Sequence, residues 1–365
     1  MYKALFLPLL SIPSGHHQSA DALMDRLNNL NIPIECKKID ILSYRLGKME
    51  KLISTSYLKW IHRFPKTYSW LYQKLAYRSY LDDKSYWYYR LLFERTVQKI
   101  ISLEKPDMII CTHALPSRII DHLKSKQMMD TPVINVYTDF FINQVWGLHH
   151  VDAHFVSTYK MKSYLLEKGV SEEKIYVTGI PIHPSFQRAS SMKRLGSKLT
   201  ILISGGSMGV GTIEKLLQKL PKSNHIQYFV LCGKNEKLYH YLIGQNNTSV
   251  VPFPYIQSRE KMNLLYEKAD AMITKPGGVT ISECINKKVP IFIYHTLPGQ
   301  EEINLQQLSS LHLVRKLPSN IEKDEWMTYF FSTIKEYHER DLFEQFERQL
   351  SHLTPEKILM NYLTS

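Results

Sequence analysis

A chain of 365 residues exceeds the usual size of one domain, and its 44% hydrophobic content is enough for two full cores. Its 46 basic and 34 acidic residues leave a net charge of +12 and a pI near 9.2, a surface that attracts anionic lipid, nucleic acid or a phosphorylated small molecule. Four scattered cysteines without a Cys-x-x-Cys pair exclude a disulfide framework or a zinc ribbon and fit a reducing cytosol, while no apolar run reaches the roughly 18 residues of a membrane-spanning helix.

In chain order, KALFLPLL (Lys3 to Leu10) is expected to be a buried strand, being too short an apolar run for a signal peptide. A Gly-His loop follows it, and then a helix with Ala20, Leu23, Leu27 and Leu30 on one face. DMIICTH (Asp107 to His113) and PVINVYT (Pro132 to Thr138) are further buried strands with a short helix between them. Such alternation predicts βαβ units and a parallel sheet. The hydrophilic stretch Gln187 to Lys198 marks a boundary, giving domains over 1–186 and 187–340 and terminal helices over 341–365 that return to the first domain. Beyond it the alternation restarts with LTILIS, IQYFVLC, TSVVPF, DAMIT and VPIFIY as strands. The fold class is therefore α/β, with two doubly wound Rossmann-like domains whose strand C-termini are expected to face a common cleft.

Residues 37–105 break this pattern. They hold 15 basic and 6 acidic side chains, which is +9 of the total charge, together with 14 of the 42 aromatic residues. Three readings apply: a helical insertion with its own aromatic core, an amphipathic surface for anionic membrane, or a stacking surface for single-stranded nucleic acid.

Two glycine loops suit phosphate. After LTILIS comes GGSMGVG, in which Gly206, Ser207 and Gly209 let backbone amides approach an anion at a helix start; a purely structural turn is the alternative. No carboxylate ends the next strand, which reads Cys232-Gly233-Lys234-Asn235, so a nicotinamide dinucleotide is not expected. After DAMIT comes KPGGVTISE, where Gly277 and Gly278 turn the chain, Thr280 suits a helix N-terminus, and Glu283 is placed in the first helical turn as an acceptor for ribose hydroxyls. Lys275 and Lys234 are available to a phosphate held at these loops. PGQEEIN then offers Gln300, Glu301 and Asn304 to hexose hydroxyls, with helix-end charge complementation as the plainer reading of the glutamates. The His149-His150-Val151-Asp152-Ala153-His154 run is a poor metal site, because VDAHFVST reads as a strand that separates His150 from His154.

Taken in order, SGHHQSA, TDFFINQVW, VDAHFV, TGIPIHPSF, LCGKN, KPGGVTISE and PGQEEIN resemble glycosyltransferase family 28, in particular the processive diacylglycerol glucosyltransferases of bacteria and the monogalactosyldiacylglycerol synthases of plants. The resemblance covers most of the chain, although Ile12 and Pro13 stand where relatives usually carry extra glycines. It implies a GT-B fold, a UDP-sugar donor, a membrane lipid acceptor such as diacylglycerol, and inversion at the anomeric carbon without metal or other cofactor. His16 matches the general base, with Asp139 as its orienting group or as the base itself. Glu283 matches the ribose ligand, Gln300 and Glu301 the residues facing the hexose, Ser207 a phosphate contact, and Tyr255-Ile256 the uracil-reading segment. With a lipid acceptor, the charge and aromatic content of residues 37–105 are expected to form an anionic-membrane surface, with the protein in the cytoplasm against the inner face of the cell membrane and no nucleic-acid partner. A UDP-sugar epimerase of the same architecture and a non-catalytic nucleotide-sugar sensor are the alternatives.

Overall fold

The structure is a computed structural model describing residues 1–9, 14–47, 87–186, 188–193, 195–206, 213–297, 299–322 and 324–364. Ser207, Gly209 and most of the basic aromatic segment lie outside the described residues. Two compact units are present, one containing Met1–His183 and Gln349–Ser365, the other Pro184–Leu297 and Glu301–Arg348.

The first unit runs β1 (Tyr2–Leu7), α1 (Gly15–Asn28), β2 (Ile34–Lys38), α2 (Ile41–Leu46), α3 (Trp87–Glu104), β3 (Met108–Cys111), α4 (Ala114–Ser125), β4 (Val133–Val136), β5 (Ala153–Val156), α5 (Tyr159–Glu167) and β6 (Ile175–Val177). Its six strands are all parallel, in the order β2-β1-β3-β4-β5-β6. Successive residues of β1 serve opposite faces: Leu5 and Leu7 join one apolar cluster with Ile109 and Cys111, whereas Ala4 and Phe6 join another with Met108 and Ile110. Both faces are covered, which is why these strands read as continuous apolar runs. The edge strand β2, IECKK, is only partly buried and alternates with polar residues, so it carries no such run; it contains Lys37 and Lys38 at the start of the basic segment.

The second unit runs β7 (Leu199–Ser204), α6 (Ile213–Lys219), β8 (Ile226–Leu231), α7 (Glu236–Gly244), β9 (Val250–Phe253), α8 (Arg259–Lys268), β10 (Ala271–Thr274), α9 (Gly278–Asn286), β11 (Ile291–Ile293), α10 (Gln300–Ser310), β12 (Arg315–Lys316), α11 (Glu325–Arg340) and α12 (Leu342–Glu347). Its parallel sheet has the order β12-β11-β10-β7-β8-β9. The short β6 and β12 were not legible as strands in the sequence, because three and two residues carry no periodicity. The last helix, α13 (Pro355–Thr364), rejoins the first unit: Ile358, Leu359 and Leu363 share a cluster with Ala20, Leu23 and Leu27 of α1. The crossing back comes after α12, at Gln349. Among the described residues no helix is long and apolar enough to cross a membrane.

A buried polar lattice shapes the loop after β4. The Asn135 side-chain amide donates to the Gly147 carbonyl at 2.8 Å, the Gly147 N–H donates to Ser117 Oγ at 3.1 Å, and the His150 N–H donates to Asp121 Oδ1 at 2.8 Å. A Cβ at Gly147 would stand 2.3 Å from Asp121 Cβ and 2.7 Å from the Ser117 carbonyl, so only glycine permits this approach to α4. Gly147→Ala is therefore expected to destabilise the first unit by about 1–3 kcal/mol, the usual cost of overpacking, seen as a lower urea midpoint; an unchanged midpoint would show that the loop yields freely.

Candidate functional site

In the first unit β1 lies between β2 and β3, so the order of connection reverses between β1 and β3, the point at which ligands bind in open parallel sheets. Leu7 of β1 pairs with Cys111 of β3, which pairs with Asn135 of β4. This register brings three strand ends level and places the residues beyond them side by side. Helix α1 starts at Gly15, so His16 lies in its first turn and not in the loop expected before it. The reason is local: Ser14 is extended and acts as N-cap, and the Gln18 N–H already bonds to the Ser14 carbonyl.

His16 Nδ1 lies 2.7 Å from the Thr112 carbonyl and 2.7 Å from Thr138 Oγ1. A carbonyl oxygen only accepts, so Nδ1 carries the proton and Nε2 keeps its lone pair. Burial lowers the His16 pKa, opposed by the Asp139 carboxylate and the Thr112 hydrogen bond and reinforced by His17. The ring is thus a neutral base with one nitrogen committed to the backbone. Asp139 acts electrostatically on the same imidazole, and its own carbonyl accepts from Ser157 Oγ at 3.1 Å. Thr112, Thr138 and His113 were absent from the sequence-derived site; their signal was position alone, each lying at the C-terminal end of a predicted strand in a doubly wound sheet, just beyond where the observed strand stops.

The second unit repeats the arrangement between β7 and β10. Gly206 follows β7 with φ +82, a left-handed conformation that suits glycine, and its N–H donates to Ser204 Oγ at 3.2 Å. Beyond β10, Gly277 is the N-cap of α9 and has no side chain to bond the first turn, which leaves the amides of Gly278, Val279 and Thr280 without a side-chain cap. Because the helix begins at Gly278, Glu283 lies in its second turn, one turn deeper than expected. It is 7% exposed and accepts a 2.7 Å hydrogen bond from the Tyr266 hydroxyl. Burial raises its pKa to about 7, against the Tyr266 hydrogen bond and the Arg259 charge.

Lys275 is also buried, its pKa lowered by desolvation while Glu301 favours the cation. Gln300 begins α10, and the Glu301 carboxylate accepts from the Leu297 N–H, closing the loop on itself. Asn304, 1% exposed, donates to the Pro276 carbonyl at 3.1 Å and ties α10 to the glycine turn from beneath. Tyr255 and Ile256 follow β9; the Tyr255 ring is 42% exposed and the Lys234 ammonium lies 5.4 Å from its centre. His154 is a core residue that pairs with the Tyr137 hydroxyl and the Leu148 carbonyl, and burial lowers its pKa to about 4. Among the described residues no group of three or more His, Cys, Asp and Glu could hold a metal ion.

Comparison with known proteins places this geometry in context. Residues 16–182 match the model of monogalactosyldiacylglycerol (MGDG) synthase, and residues 200–330 match the glycosyltransferase family 28 C-terminal domain. An uncharacterized glycosyltransferase, YkoN of Bacillus subtilis, is 45% identical over 92% of this chain and 91% of its own. A processive diacylglycerol beta-glucosyltransferase of Bacillus cereus is 34% identical, over 61% of this chain and 59% of its own length. Among solved structures, Acinetobacter baumannii MurG has a TM-score of 0.58 at 12% identity, covering 99% of both chains. A Neisseria meningitidis UDP-GlcNAc 2-epimerase has a TM-score of 0.55 at 13% identity, again over 99% of both, so the fold alone does not distinguish transferase from epimerase.

A buried carboxyl with a raised pKa carries a cost. The stability that Glu283 contributes is complete below its unfolded pKa near 4.5 and is lost as pH rises through about 7. Glu283→Gln is therefore expected to stabilise the protein at pH 8 by about 1–3 kcal/mol and to have little effect at pH 4.5. Thermal unfolding at the two pH values measures this, and equal effects at both would contradict it.

Proposed function

We infer the reaction from one premise: this chain belongs to glycosyltransferase family 28. It is a hexosyltransferase with the GT-B fold. The reaction we assign to it is transfer of a hexose from a UDP-sugar to the free hydroxyl of diacylglycerol, with inversion. The observation that carries this reading is the His16 imidazole, with Nδ1 tied to the Thr112 carbonyl and a free lone pair on Nε2, in the half that matches the galactolipid synthase model.

In this mechanism Nε2 of His16 takes the proton of the acceptor hydroxyl as its oxygen bonds to the anomeric carbon. The bond from that carbon to the β-phosphate oxygen breaks on the opposite face, and UDP leaves with the electron pair. The uncapped first turn of α9 and the Lys275 ammonium receive the developing charge. Glu283 accepts from the ribose hydroxyls, Gln300 and Glu301 contact the hexose, and Asn304 positions the glycine turn. Backbone groups at Tyr255-Ile256 read uracil, and Gly206, Ser207 and Gly209 line the phosphates. We assign neither metal nor cofactor to this reaction; the sequence lacks the Asp-x-Asp motif with which many transferases hold a metal.

The acceptor requires a membrane. Support comes from the +9 charge and 14 aromatics of residues 37–105, of which the described part exposes Tyr44 by 44%, Trp87 by 56% and Leu91 by 70%. We place the enzyme in the cytoplasm, on the inner face of the cell membrane, where it meets UDP-sugars.

With a panel of UDP-hexoses, anionic vesicles containing diacylglycerol and excess EDTA, UDP release is expected only when donor and diacylglycerol are both present. Turnover that needs added Mg²⁺ would refute the metal-free mechanism, and sugar isomerisation without acceptor would indicate an epimerase. Two variants should separate the roles of the two units. His16→Ala should lower kcat by about 10²–10⁴ with UDP affinity unchanged, whereas Glu283→Gln should weaken UDP binding by about 1.5–3 kcal/mol. Calorimetry and initial rates measure both, and full activity of the His16 variant would remove it as the base.

A further inference from the structure

We propose that His113 is a positioning residue of the acceptor site, a second imidazole that shields part of His16 from water and holds its ring in one orientation. The proposal rests on the reading of His16 as the base. The two rings meet edge to face, with centroids 4.8 Å apart and planes at 75°. His113 is the N-cap of α4, and its Nδ1 accepts the Leu115 N–H at 3.1 Å. That bond assigns the His113 proton to Nε2. A second proton, on Nδ1, would break the cap and put a cation against the positive end of a helix. Burial and the neighbouring His16 disfavour the charged form of His113 in the same direction.

An N-cap needs only a small acceptor, and Ser, Thr, Asp and Asn are the usual choices. The imidazole is larger than that task requires, and its surplus surface lies on His16. The groups acting on His16 come from three elements: His17 on α1; the Thr112 carbonyl and His113 beyond β3; and Thr138 and Asp139 beyond β4. Thr112 and Thr138 hold Nδ1, Asp139 favours the cation and His17 opposes it, so the His113 ring is the uncharged wall among them. His16 and His113 are each only partly buried; without the His113 ring more water reaches His16, its charged form becomes cheaper, and less of it is neutral at a given pH.

The test uses the full chain, selectively labelled with ¹⁵N-histidine, in two variants. His113→Asn keeps a good cap and removes the ring; His113→Phe keeps a ring and removes the cap. In His113→Asn the ring nitrogens of His16 should titrate about one unit higher than in wild type. The acid limb of kcat/KM for transfer to diacylglycerol should rise by the same amount, while the melting temperature stays near wild type. In His113→Phe the acid limb should stay near wild type while the melting temperature falls. An unshifted His16 titration in His113→Asn would overturn the proposal, as would an equal shift in both variants. If His16→Ala keeps its turnover, the base assignment fails instead, and the titration still decides whether His113 shields that ring.

Discussion

The register of the first sheet is the constraint on which the surroundings of His16 depend. Pairing Leu7 with Cys111, and Cys111 with Asn135, ends three parallel strands at one level. A slip of one residue in any of them would turn its apolar side chains to the opposite face. Both faces are packed, with Leu5 and Leu7 on one and Ala4 and Phe6 on the other, so such a slip is strongly disfavoured. The same packing that stabilises the sheet therefore sets the Thr112 carbonyl 2.7 Å from His16 Nδ1. Precision around His16 comes from the strands, which fix where the loops that carry Thr112 and Thr138 begin.

The two units use burial to opposite chemical ends. In the first, desolvation favours neutral His16 and so favours a proton acceptor near neutral pH. In the second, desolvation favours neutral Glu283, and Tyr266 and Arg259 push back towards the carboxylate. The Tyr266 hydroxyl is itself fully enclosed and directed at Glu283 Oε2, with the ring packed edge-on against Phe186 at 5.4 Å. Both groups sit in environments that trade folding stability for a prepared charge state, as functional sites generally do.

Much of this was legible in the residues. The interior strands, such as Leu199–Ser204, appear where their apolar runs predicted them, because a strand buried on both faces must be apolar throughout. The strand β2 escaped because an edge strand with one wet face needs no such run. At the sites, His16 and Glu283 were visible as chemistry-bearing side chains beside glycine turns. Thr112 was not, since it contributes a backbone carbonyl and any residue supplies one. The depth of Glu283 also escaped, because a glycine N-cap does not mark a helix start as Ser or Asp would. Tyr266 belongs to α8, and only the packing of α8 against the sheet brings its hydroxyl to Glu283.

The return of α13 to the first unit has a consequence for how the protein is made. Ile358, Leu359 and Leu363 cover the same cluster as Ala20, Leu23 and Leu27, and Arg26 of α1 meets Glu356 at 3.5 Å. The helix that carries His16 is thus finished by residues that leave the ribosome more than three hundred positions later, after the whole second unit has been synthesised. Until then one face of α1 stays bare, and closing so long a loop slows the last step of folding. Order of synthesis and order of completion are reversed: the second unit has all its parts before the first does, and a first unit severed at His183 would carry α1 without its cover.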